Sequence, residues 1–150
     1  METVSFPDEK LAGFINFHFV PLRVPSDSEP LSTEFNVQWT PTFLILDSKG
    51  RPHHRVLGFF AAEDFIPELM LGWGKYFFGR NKPAEAEAVF GDLLKEYPAS
   101  DAAPQALFLH GVTGFLKGHD AKRLKEMYER QQKEYPASTW AKRAYPYRLL

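Results

Sequence analysis

EYPAS occurs twice in this chain, at Glu96–Ser100 and again at Glu134–Ser138, 38 residues apart. The same offset aligns Phe90 with Tyr128, Lys95 with Lys133, Ala103 with Ala141 and Ala106 with Ala144. Upstream it aligns Leu71 with Leu109 and Phe77 with Phe115. A period of this length holds two helices and their turns, a unit that buries its apolar face only against a neighbour. Each EYPAS proline ends the helix before it, and the serine is a ready N-cap for the next. Ala84, Ala88, Ala103 and Ala106 let paired helices approach closely. Ahead of the repeat, FIPELMLGWGKYFFGR spaces its apolar residues as a helix does. Pro67 is tolerated in a first turn, which predicts a start near Ala62 to Asp64. At the far end, TWAKRAYPYRLL predicts a closing helix carrying Trp140, Ala144 and Tyr145, ended early by Pro146.

Residues 70–150 therefore resemble tetratricopeptide-type repeats, with about two units and a period longer than the usual ~34 residues. Such arrays need about three units to stand alone. The helix from Ala62 to Arg80 is accordingly expected to run out of the N-terminal half, which would cap the array.

The first sixty residues read differently. Ser5 is placed to cap a helix with Pro7 in its first turn, and Leu11, Phe14, Ile15 and Phe19 then share a face. FVPLRVP (19–25) reads as a short strand and PLSTEF (30–35) as a short helix. FLILD (43–47) has the continuous apolar pattern of a strand buried on both faces. DSKG (47–50) is a tight turn in which Gly50 can take positive φ, and HHRVLGFF (53–60) returns as the second arm of a hairpin.

With VQWTPTFLILDSKGRPHHRVLGF at its centre, this order resembles the C-terminal two-thirds of a thioredoxin fold. Pro41, Asp47, Gly50 and Gly58 match that family's proline, turn and strand-end positions. Met1, Glu2, Phe6, Asp8, Glu9, Phe19 and Val20 match a subgroup in which they follow the redox cysteines. The resemblance implies a cis Thr40–Pro41 bond. A cis X–Pro bond costs only about 0.5–1 kcal/mol over trans. It further implies that Thr40 presents unpaired backbone groups to an extended peptide, beside a thiol site this chain does not contain.

In that fold a first core strand lies between the strands that here are 19–24 and 42–47. Without it these two stand about 9.6 Å apart, two strand spacings, with rows of unpaired backbone groups. Three outcomes remain open: a start upstream of Met1 that carries the strand and the cysteines, direct pairing of the two strands, or a strand donated by another chain.

The sequence contains no cysteine, so thiolate chemistry and disulfides are excluded for the chain as written. A net charge of -1, from 18 basic and 19 acidic residues, argues against nucleic acid as a partner. No apolar run approaches the roughly 20 residues of a membrane span, and METVSFPDEK is not a signal peptide, which favours the cytoplasm. His53 and His54 point to opposite faces of one strand, and His110 and His119 lack helical ligand spacing, so no metal site is expected. His18 ends a helix, where a cation is favoured. Trp73, Tyr76, Phe77 and Phe78 line either a peptide groove or a junction core.

The expected architecture is an incomplete thioredoxin-like α/β layer over residues 1–70, lacking its first core strand and redox motif. All-α helical-hairpin repeats follow over 71–150. The expected function is non-catalytic protein or peptide binding at Trp39, Thr40 and Pro41, or of a helix in the repeat groove, without cofactor or catalytic residue. A fragment of a thiol–disulfide oxidoreductase and a scaffold subunit, homo-oligomeric through an open sheet edge, are the alternatives.

Overall fold

The computed structural model describes Met1, Thr3 and residues 5–150; Glu2, one of the residues of the resemblance, lies outside them. The chain is mostly helical, with one small antiparallel sheet. In order come α1 (Glu9–His18), α2 (Leu31–Glu34), β1 (Thr42–Leu46), β2 (Pro52–Leu57), α3 (Ala62–Gly79) and α4 (Pro83–Glu96). Then follow α5 (Ala103–Gly118), α6 (Lys122–Glu134), α7 (Thr139–Ala144) and a 3-10 turn at Tyr145–Leu149. The residues group into two compact units, Met1–Ile66 and Pro67–Leu150. Among the described residues no helix is long and apolar enough to cross a membrane.

In the first unit α1 is capped by Asp8, not Ser5: the Asp8 carboxylate accepts the Leu11 N–H at 2.8 Å. Ser5 is instead fully buried, and its hydroxyl donates to the Phe60 carbonyl at 2.5 Å. An aspartate directly before the helix reaches an orphan N–H that Ser5, four residues upstream, does not. β1 and β2 pair with Thr42 opposite Leu57 and Leu44 opposite Arg55. Phe43 projects from the other face into an aromatic cluster, with ring centroids 4.5 Å from Phe65 and 6.3 Å from Phe6. Of the FLILD run, Ile45 and Asp47 are buried while Leu46 is exposed, as is Leu57 on β2. The face carrying Phe43, Ile45 and Asp47 is thus the buried one, while the face of Thr42, Leu44 and Leu46 is only partly covered.

Residues 19–25 do not form the expected strand. They make no backbone hydrogen bond to β1, so direct pairing does not occur. Val20 is 96 % and Leu22 82 % exposed. A strand exists only through its ladder, and Pro21 and Pro25 also remove two donors from this stretch.

The second unit repeats in backbone as it does in sequence. α4 ends at Glu96 and α6 at Glu134, and their C-caps, Tyr97 and Tyr135, share nearly the same conformation (φ -131°, ψ 51° and φ -135°, ψ 50°). The aligned pair Ala103 and Ala141 is buried, as is the pair Ala106 and Ala144. Leu107, Leu124, Met127 and Ala144 form a core joining α5, α6 and α7. Ser138 caps α7 by accepting the Ala141 N–H at 3.0 Å. Ser100 does not cap α5: its hydroxyl turns back to the Tyr97 carbonyl at 2.8 Å. Asp101 and Ala102 intervene before α5 begins, whereas α7 begins directly after Ser138. Pro67 lies inside α3, past its first turn, and leaves the Glu63 carbonyl without an i+4 donor. The α-helical part of the closing segment stops at Ala144, two residues before Pro146.

Two glycines permit the close helix crossings. A Cβ on Gly74 would lie 2.3 Å from the Phe90 ring, and one on Gly111 would lie 2.5 Å from the Met127 Cβ. The Met127 Cβ is fixed by its own helix, so Gly111→Ala is expected to force α5 and α6 apart at about 1–3 kcal/mol. Gly118→Ala, where a Cβ meets nothing within 4 Å, is the control and should be neutral or slightly stabilising. Thermal denaturation of both variants checks this.

Candidate functional site

The sequence singles out Trp39, Thr40 and Pro41, and the structure places them together at the head of β1. The Thr40–Pro41 peptide is cis, the isomer the resemblance implies. The Glu29–Pro30 peptide is also cis, which nothing in the sequence reading anticipated. The Thr42 hydroxyl donates to the Trp39 carbonyl at 2.6 Å, and the Pro41 carbonyl accepts the Gly58 N–H at 2.9 Å. These two bonds tie the ridge to β1 and to the end of β2. Between them Thr40 makes no backbone hydrogen bond to any described residue. Trp39 is 71 % exposed and is not part of the core.

Arg55, on β2, braces the approach to the ridge. Its guanidinium donates to the Phe35 carbonyl at 2.6 Å and the Asn36 carbonyl at 2.7 Å, at the end of α2. Asn36 has φ +47°, a left-handed conformation that asparagine tolerates. This clamp fixes where the chain enters Val37–Trp39.

Asp47 anchors the far end of the hairpin. Its side chain is almost fully buried and accepts from the Lys49 N–H (2.9 Å), the Arg51 N–H (3.0 Å) and the Arg51 Nε (2.8 Å). The His53 Nε2 lies 3.4 Å away. Burial by itself would raise the Asp47 pKa, but the Arg51, Lys49 and His53 hydrogen bonds outweigh it and hold the carboxyl well below the usual range. The sequence marked Asp47 only as a turn residue. The His53 side chain is only 11 % exposed, against this carboxylate.

The second unit holds an ion cluster that the sequence reading missed. Glu87 on α4 accepts from the Lys117 Nζ at 2.6 Å and from the Arg123 guanidinium, and so ties α4, α5 and the start of α6. Burial raises its pKa, but Lys117, Arg123 and His110 together hold it below the ordinary value. The His110 pKa is lowered, first by burial and then by Arg123, Arg130 and Lys117, with Glu87 opposing. An open groove of about 730 Å³ lies between the two EYPAS turns, lined among others by Pro98, Asp101, Pro104, Tyr135 and Trp140. The Tyr135 hydroxyl donates across it to the Pro98 carbonyl at 2.7 Å. Trp73, Tyr76 and Phe77 pack ring to ring along α3, half-buried.

His18 packs 4.5 Å from the Phe14 ring, and burial lowers its pKa. Among the described residues no three potential ligands gather as a metal site. No family profile, curated protein or solved structure matches this chain.

Two pH responses follow. The depressed Asp47 pKa stabilises the fold above the unfolded value of about 3.9, and this is lost as pH falls toward the folded value. Asp47→Asn should therefore be less stable at neutral pH and lose less on acidification, read from denaturation midpoints along a pH series. His110 is held neutral, so the helical unit should weaken as pH falls below its ordinary value of 6.5. His110→Gln should flatten that response, followed by circular dichroism.

Proposed function

We propose that this chain is a non-catalytic protein-interaction module whose Trp39–Thr40–Pro41 ridge takes an extended peptide. The observation that carries this reading is the Thr40 backbone, unbonded to any described residue, beside a 71 %-exposed tryptophan, at the head of a strand that pairs on one edge only among the described residues. An extended peptide laid along such an edge supplies the missing backbone partners, and an aromatic neighbour supplies contact area at low entropic cost. Thiol–disulfide exchange has no place in the chain as written, because it needs a thiolate and the sequence has no cysteine.

We read the β-layer as an incomplete thioredoxin-like fold and the second unit as tetratricopeptide-like. Ala86, Phe90 and Pro98 carry the A-x3-F…P spacing of the repeat, and Gly74 and Phe77 stand where its G-x2-Y lies. The buried contact between Gly74 and Phe90 supports that reading.

Titration with a panel of short unstructured peptides of alternating apolar and polar residues, followed by calorimetry, tests the site. Trp39→Ala is expected to weaken binding about tenfold or more, as loss of an aromatic anchor does. Thr40→Val, which keeps the backbone and removes only the hydroxyl, should bind nearly as the parent. Binding unchanged in Trp39→Ala would remove the ridge as the site.

A further inference from the structure

The 38-residue offset that relates the repeats also carries α5 onto α7 and the 3-10 turn, matching Leu107 with Tyr145 and Gly111 with Leu149. Both α5 positions lie under α6. Leu107 is buried with Leu124 and Met127, and Gly111 leaves no room for a Cβ against Met127. Their counterparts are open: Tyr145 is 54 % and Leu149 78 % exposed, with Leu150 52 % exposed beside them. Within the helical unit α5 packs against α4 before it and α6 after it. By contrast, α7 and the 3-10 turn pack only against elements that precede them, α5 and α6, and against each other. The outermost repeat of an array normally turns a polar face outward. This one turns out a tyrosine and two leucines.

We propose that this face takes an acidic amphipathic helix of a partner protein, laid on α7 and the 3-10 turn as α6 lies on α5. The chain itself shows what covers the equivalent face. α6 meets α5 with Leu124, Met127 and Gln131, at i, i+3 and i+7, Gln131 donating to the Pro104 carbonyl at 2.6 Å. That is the spacing with which an amphipathic helix anchors on a partner. Charge decides the flanks of the incoming helix. Beyond Glu134 the sequence has no acidic side chain and three cations, Lys142, Arg143 and Arg148, all exposed. Arg143 stacks 4.4 Å over the Trp140 ring and Arg148 3.8 Å over the Tyr145 ring. Neither guanidinium meets a carboxylate among the described residues. A stacked guanidinium is held in place with N–H donors left at its edge, where a carboxylate binds in a fork. The same charge disfavours a second copy, because a two-fold contact sets one patch, with its three cations, against itself.

A labelled alanine-based helix with leucines at i, i+3 and i+7, flanked by glutamates, is the probe, read by fluorescence anisotropy on the full chain. It should bind with an affinity that falls as salt rises. The same helix with lysine for glutamate should bind about tenfold or more weakly. The acidic helix should lose about as much against Leu149→Ser, and against the double variant Arg143→Gln with Arg148→Gln. Leu149 is exposed, so Leu149→Ser should leave the helical circular dichroism unchanged. Lys95→Gln, an exposed cation on α4, is the control and should bind as the parent. No binding by the acidic helix, equal binding by the lysine helix, or an affinity untouched by Leu149→Ser overturns the proposal. A dimer in light scattering that Leu149→Ser disrupts overturns it in favour of a second copy. Tighter, Arg148-dependent adsorption to phosphatidylserine vesicles overturns it in favour of a membrane surface. The proposal does not rest on the ridge reading: one is read by helix affinity in Leu149→Ser, the other by extended-peptide affinity in Trp39→Ala.

Discussion

A strand bonded along a single edge is the constraint on which the N-terminal unit turns. Five residues of β1 make a ladder with β2, and among the described residues no strand pairs with their other edge. A two-stranded sheet is marginal by itself, so what holds this one is its buried face and its ends. Phe43 enters a cluster with Phe6, Phe60 and Phe65. Asp47 closes the turn with hydrogen bonds from two residues of its own hairpin, and Gly50 supplies the positive φ of 76° that the turn requires. Arg55 reaches from β2 to the end of α2. Every one of these interactions lies on the β2 side, at the turn or in the apolar face. The open edge of β1 and the ridge before it remain available.

The helical unit rests on a different principle. Its stability comes from neighbour-to-neighbour burial, with α4 against α5 and α5 against α6. Glycine at the crossing points lets the backbones approach, and a buried core of leucine, methionine and alanine fills the space. Glu87 adds an electrostatic tie across three helices. Its side chain is largely buried, so the bonds to Lys117 and Arg123 count for more than those of exposed pairs such as Lys122 with Glu126.

Some of this was legible in the sequence because it depends on neighbours a few residues away. The DSKG turn needs only an aspartate and a glycine at the right spacing. The EYPAS turns need only a proline after a helix, and the two copies adopt nearly the same backbone. Other features depend on groups far apart in the chain. The partners of Glu87 lie 30 and 36 positions away, and no local pattern announces them. Ser5 looked like a cap, but its hydroxyl is claimed by Phe60, 55 residues on. Residues 19–25 have the composition of a strand, yet composition does not supply a ladder to β1.

The sequence alone determined where the chain turns, which helices repeat, that Thr40–Pro41–Thr42 opens a strand and that the given chain carries no cysteine. Those properties reside in single residues and short spacings, where backbone sterics and side-chain chemistry act directly. Tertiary structure decided whether each segment found something to bond. It left 19–25 without a ladder to β1, set Asp47 and Glu87 among cations, exposed Trp39 and turned Ser100 away from its helix. Hydrogen bonding and burial are properties of pairs, and a pair exists only once the chain has folded.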